Sequence, residues 1–189
     1  SPWWIHNYIK YDNFVRTNLA MGQILYIGNN PINKSGGGIS GIDFKFDSFE
    51  VNGNFIEQDP IKRDKIFKKE VTNFVLNNQY NFIQLTLAKL KRFWLIFPYS
   101  KDYSNILYKT ISILTIIPLY LFSVLFLIKN KQKNRRFIPI FIFCFLINFV
   151  HIISISSIRY RFPIEPFLII ISANYLIMTI KNYYKDLKI

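Results

Sequence analysis

From residue 106 onward, long apolar runs alternate with short charged breaks, whereas residues 1–105 mix polar and apolar positions in shorter periods. Three of the runs read as membrane spans. Residues 106–128 contain one charge, Lys109, and at 1.5 Å per residue they reach roughly 34 Å, enough for a hydrocarbon core of about 30 Å. Lys109 lies one turn inside and can snorkel to the interface. Residues 137–158 have His151 as their one ionisable group, and residues 164–180 form a third, shorter run with Glu165 at its entrance. Pro118 and Pro139 are compatible with membrane helices, where neighbouring groups re-satisfy the freed backbone.

The first half follows other periods. Aromatics at positions 3, 4, 8, 11 and 14 suit the zone where a helix leaves a bilayer, with Trp3 and Trp4 at headgroup level. Residues 23–27 read as a short strand that breaks at Gly28-Asn29-Asn30-Pro31. Gly36-Gly37-Gly38 marks a flexible loop, not a phosphate cradle, because no Lys-Ser/Thr ending and no helical pattern follow it. Residues 46–58 read as a small hairpin turning at Asn52-Gly53. Asp59 and Pro60 then start a helical period that runs to about residue 97, with Asp59 as N-cap. Phe67, Val71, Phe74, Leu76, Tyr80, Ile83, Leu87, Leu90, Trp94 and Phe97 form one apolar face. Lys68, Lys69, Asn77, Asn81, Gln84, Lys91 and Arg92 mark the other. Such a helix lies along a membrane surface or packs in a globular layer; the pattern suits both. Phe93, Trp94, Phe97, Pro98 and Tyr99 form a second aromatic anchor.

Charge placement sets an orientation. The formal net charge is +13, with 51% hydrophobic and 18% aromatic residues. Residues 106–189 hold 11 Lys/Arg against 2 Asp/Glu, almost all outside the apolar runs. The positive loop 129–136 therefore reads as cytoplasmic, and the lysine-bearing C-terminus falls on the same side. Residues 1–105 and the 159–163 loop face the other side of an inner (plasma) membrane crossed several times. Charge placed for topology argues against a nucleic-acid partner. Cys144 is the one cysteine, inside an apolar run, so neither a disulfide nor a thiolate metal site is expected. The opening at Ser1, with no signal-peptide pattern, reads as a cut in a longer protein whose upstream spans deliver residues 1–105 outward.

Between the second and third runs stands RYRFPIEP, residues 159–166. Arg159 and Arg161 lie on the side the positive-inside bias disfavours, so each needs a local partner. Guanidinium forks match phosphate oxygens, Tyr160 adds a hydroxyl, and Pro163 and Pro166 stiffen the turn. An anion clamp for a lipid phosphate is one reading. Headgroup anchoring, or pairing with Glu165, is the other. His151, Ser154 and Ser157 share a predicted helix face, where His151 is either a hydrogen-bonded core residue or a group near the substrate phosphate. Glu165 reads as a charge partner of the arginines.

RYRFPIEP after a His-bearing run, together with SPWWIHNY and LYIGNNP earlier, resembles the C-terminal half of bacterial glycosyltransferase family 39 proteins. These are relatives of the dolichyl-phosphate-mannose protein mannosyltransferases and the aminoarabinose transferases of lipid A. The resemblance covers Ser1 to about Ile180. It implies an α-helical membrane fold, the C-terminal part of a GT-C architecture, with three transmembrane helices and an extracytoplasmic mixed region bearing an amphipathic surface helix. It also implies a polyprenyl-phosphate-linked sugar donor and a protein, lipid A or glycan acceptor; no cofactor is expected, and no metal-ligating residue is assigned. Arg159, Tyr160 and Arg161 would hold the donor phosphate, with His151 and Glu165 behind them. The sequence departs from the family in having His6 before Asn7-Tyr8, where an arginine is common, so no ionic role carries over there. The general base belongs to an upstream loop that this chain lacks, so no catalytic residue is assigned. Asp12, Asp43, Asp47, Glu50 and Asp59 inherit nothing by motif and read as solvated. The competing class is a non-enzymatic membrane scaffold whose outer region binds a partner.

Overall fold

The structure, a computed structural model, describes residues 2–15, 18–51, 54–98, 105–129 and 134–186. Expectations for the Asn52-Gly53 turn, Tyr99, residues 130–133 of the 129–136 loop and the last lysine fall outside them. Among the described residues there are seven α-helices: α1 Pro2–Tyr11, α2 Met21–Gly28, α3 Pro60–Asn77, α4 Gln79–Phe93, α5 Ile106–Lys129, α6 Ile138–Ile153 and α7 Glu165–Asp186. One antiparallel pair of two-residue strands, β1 Glu50–Val51 and β2 Asn54–Phe55, stands in the expected hairpin register. The chain divides into two compact units. Unit 1 comprises residues 1–90 and 151–156; unit 2 comprises 91–150 and 157–189.

Unit 1 is built where α2 packs on α3. Phe67 is almost wholly buried, with Tyr26, Phe46, Phe49 and Phe55 around it at centroid distances of 5.3, 5.6, 4.7 and 6.0 Å. Asp59 caps α3 as expected, its Oδ1 accepting from Ile61 N at 2.8 Å. Buried Asp64 Oδ1 accepts from Gly22 N at 2.6 Å, satisfying a donor that the first turn of α2 leaves unpaired.

Three expectations change here. Residues 23–27 are helical, not a strand; a short apolar run does not distinguish the two, and the decision rests on how its ends are satisfied. The predicted single helix 60–97 is two, broken at Asn78 with φ −132° and ψ 48°. Neighbouring Asn77 and Asn78 favour turns over helix interiors. Asp43 is buried, not solvated: its carboxylate accepts from Ser35 Oγ at 2.6 Å and Ile39 N at 2.9 Å and so closes the 35–43 loop.

In unit 2, α5 packs along α7. Phe126, Ile171 and Tyr175 form the buried centre, with Phe122, Phe141 and Met178 against it. Ser123 Oγ donates to Leu168 O at 3.1 Å and Lys129 Nζ to Tyr175 Oη at 3.2 Å. The 24-residue α5 is long and apolar enough to cross a membrane, and only 11% of its apolar window is buried. α6 stops at Ile153, short of the expected 158. Extended backbone at Ser157 (φ −158°, ψ 153°) follows, then a 3-10 turn at Ile158–Arg161. α7 runs past the expected 180 to Asp186.

Candidate functional site

The 3-10 turn separates its two arginines. With three residues per turn, side chains two apart leave in directions about 120° apart. Arg161 points inward and is 1% exposed; Arg159 points to the surface. Arg161 Nε donates to Glu165 Oε1 at 3.1 Å, and its Nη1 donates to Phe93 O at 3.3 Å and Leu95 O at 2.9 Å. The guanidinium also lies 5.4 Å from the centre of the Tyr120 ring. A buried cation persists only with such a complete set of partners. Of the readings open in the sequence, Arg161 follows the structural one. It pins the end of α4 to the first turn of α7, and Glu165 is its charge partner, as expected.

Arg159 differs. Its guanidinium sits 5.3 Å from the centre of the Tyr160 ring, on the exposed side of the turn, where an anion can approach. Tyr120 lies nine residues before Lys129, so Arg161 stands about 14 Å along the α5 axis from that end. The knot therefore lies alongside α5 at the level of Tyr120. His151 Nδ1 is 3.3 Å from Ile155 O, a local contact in line with the hydrogen-bonded reading. α6 ends before Ser154 and Ser157, so the predicted His-Ser-Ser helix face is not formed.

A second polar node, missed in the sequence, occupies unit 1. Asn29, Asn30 and Asn33 are buried and cap the C-terminus of α2. Asn29 Nδ2 donates to Leu25 O at 2.9 Å, Asn30 Nδ2 to Tyr26 O at 3.0 Å, and Asn33 Nδ2 to Ile27 O at 2.9 Å, so side chains donate to the last carbonyls of α2, and Tyr26 O accepts from Asn29 N at 3.1 Å as well. Asn29 also donates to Ile153 O at 2.8 Å, and its Oδ1 accepts from Lys89 Nζ at 2.6 Å. Lys89 is fully buried, and loss of hydration pushes its ammonium down from 10.5 to about 7. Gly36 passes against it: φ is +73°, and a Cβ there would lie 2.8 Å from Lys89 N. The Gly36 loop is thus an anchored packing element, with Ser156 N donating to Gly36 O at 3.1 Å. The signal for this node was the run of three amides in GNNPIN.

Compared with protein-family models, curated proteins and solved structures, the chain matches none. Its chemistry therefore has to be argued from these residues. Arg159 is the one member of the predicted phosphate-binding set whose charge faces outward; Arg161 is spent inside the fold, and Glu165 is spent on Arg161.

Proposed function

We propose that the chain is the C-terminal part of an integral membrane glycosyltransferase that moves a sugar from a polyprenyl-phosphate donor to an extracytoplasmic protein, lipid A or glycan acceptor. In this reading α5, α6 and α7 cross the inner membrane, the 129–136 loop and C-terminus are cytoplasmic, and residues 1–105 lie outside. The observation that carries it is the pairing of an exposed Arg159 with a buried Arg161 in one turn, in a sequence resembling family 39. Arg161 fixes the turn, and Arg159 meets the lipid phosphate. An acceptor hydroxyl attacks the anomeric carbon, the bond from that carbon to the phosphate oxygen breaks, and the departing phosphate keeps the electron pair. Arg159 stabilises that developing charge. The hydroxyl proton goes to a base supplied by upstream sequence.

The test is donor turnover by the full-length protein carrying Arg159→Ala or Arg159→Lys. Loss in the first and only partial recovery in the second supports a forked phosphate contact. Undiminished turnover in Arg159→Ala removes the assignment. The inward use of Arg161, alongside the middle of α5, favours a second reading: a membrane scaffold in which the knot is a structural pin. Absence of donor binding by an intact, folded full-length protein would select it.

A further inference from the structure

On α4 the apolar residues Tyr80, Ile83 and Leu87 are exposed, while Lys89 and Arg92, the latter expected outward, are buried. The exposed face of α3, in unit 1, is different in kind. Glu70, Asn73 and Asn77 fall within an arc of about 60° over its last two turns. Asn78, at the break that ends α3, continues the row. Tyr26 from the end of α2 and Phe49 from the segment before β1, whose rings meet edge-on at 5.0 Å, line the same open cleft of about 280 Å³. Every lining residue belongs to unit 1.

Two kinds of amide meet at this cleft. Asn29 and Asn30 border it, but their side chains are buried and bonded within the fold. The side-chain amides of Asn73, Asn77 and Asn78 make no hydrogen bond among the described residues, and neither the Tyr26 hydroxyl nor the Glu70 carboxylate makes one there. Asparagine is a poor helix former, so Asn73 and Asn77 cost α3 stability and gain no contact inside it. The lining also selects a ligand. An amide offers a donor and an acceptor side by side, which matches adjacent hydroxyls that each donate and accept, and an aromatic face attracts C–H groups. Glu70 is the one charged residue among the described residues of the lining, so an anion finds no cation there and meets a like charge. The Tyr26 hydroxyl, pushed up by burial and by Glu70 and Asp47, stays protonated and donates. The volume, close to the lower end of the usual range of about 300–1,000 Å³ for ligand pockets, suits one sugar ring rather than a nucleotide or a lipid chain.

We propose that this cleft binds a single pyranose ring of an uncharged or amino sugar, with ring hydroxyls on Asn73, Asn77 and Glu70 and the C–H face on Phe49 and Tyr26. It holds a sugar whether or not the chain transfers one, and its test uses no phosphate donor, so its failure and that of the transferase reading are distinct.

Saturation-transfer NMR on the whole chain in phospholipid nanodiscs tests it, with empty nanodiscs as reference. The probes are the methyl pyranosides of glucose, galactose, mannose, N-acetylglucosamine, glucosamine and glucuronic acid. The expected result is transfer to the ring protons of at least one neutral or amino glycoside, with weaker binding of the glucuronide. Asn73→Ala and Asn77→Ala should each lower the affinity at least about fivefold, and Asn81→Ala, at an exposed α4 position outside the cleft, should not. Alanine is the better helix former and neither asparagine side chain has a partner in the fold, so thermal unfolding of both variants should be unchanged or raised. No transfer to any neutral or amino glycoside overturns the proposal. Undiminished affinity in both cleft variants overturns it, as does equal or tighter binding of the glucuronide. Transfer to N-acetyl-tetraalanine amide with none to the sugars assigns the amides to an extended peptide and also overturns it.

Discussion

Lys89 Nζ lies 2.6 Å from Asn29 Oδ1, and no carboxylate is ion-paired with it among the described residues. A fully buried ammonium held by an amide and a carbonyl folds more easily when neutral. Its folded-state value of about 7, against 10.5 in an exposed lysine, means that between those values the unfolded chain binds more protons than the folded one. Stability of unit 1 is therefore expected to rise with pH above about 7, by up to about 1.4 kcal/mol per pH unit. Below that value the full penalty remains. Tyr26, whose hydroxyl is pushed up by burial and by Glu70 and Asp47, opposes the trend only above about pH 10. Unfolding followed in nanodiscs as a function of pH should show this slope, and Lys89→Met should flatten it; an unchanged slope would show that Lys89 is not its source.

Asn30 donates to Tyr26, Ile27 and Asp43 carbonyls at 3.0, 3.1 and 3.1 Å and accepts from Ile32 and Asn33 N at 3.0 and 3.1 Å. Asn30→Ala strands several buried groups at once and is expected to cost at least about 2 kcal/mol. Asn30→Asp, which loses the donors and buries a charge, should be no better. Hydrogen exchange at the end of α2 reports the damage directly.

Gly36 and Gly41 both have positive φ, +73° and +78°, but only Gly36 has neighbours where a Cβ would stand. Gly41→Ala should cost about 1–2 kcal/mol from backbone strain alone. Gly36→Ala should cost more, because the Lys89 backbone has to move. Equal losses in thermal unfolding would show that the loop relaxes freely.

Arg161→Ala leaves Glu165 and the Phe93 and Leu95 carbonyls without their donor, and is expected to destabilise unit 2 by about 3–5 kcal/mol. Arg161→Lys should recover little, since one ammonium does not reproduce the fork. Arg159→Ala should change stability by under about 0.5 kcal/mol while altering donor binding. A large stability loss in Arg159→Ala would show that this side chain is also structural.

The hydrophobic pattern alone determined much of the fold. It located α5 to within a residue at each end and the apolar stripe of α4, while capping and turn residues located the Asp59 cap and the β1–β2 hairpin. These are local properties: helix period, capping chemistry and turn residues act within a few positions. RYRFPIEP was legible as a special site because arginines between apolar runs are costly without partners, and Glu165 was legible as a partner because it lies one turn away.

Tertiary structure decided the rest. Which arginine turns inward depends on the Phe93 and Leu95 carbonyls, 66–68 positions away. That Lys89 is buried depends on Asn29, 60 positions away, and on the Ile153 carbonyl at the end of α6. Local sequence specifies which groups need hydrogen bonds or burial; only the folded chain specifies which distant atoms meet that need, because each such contact is chosen against water and against every other arrangement of the backbone.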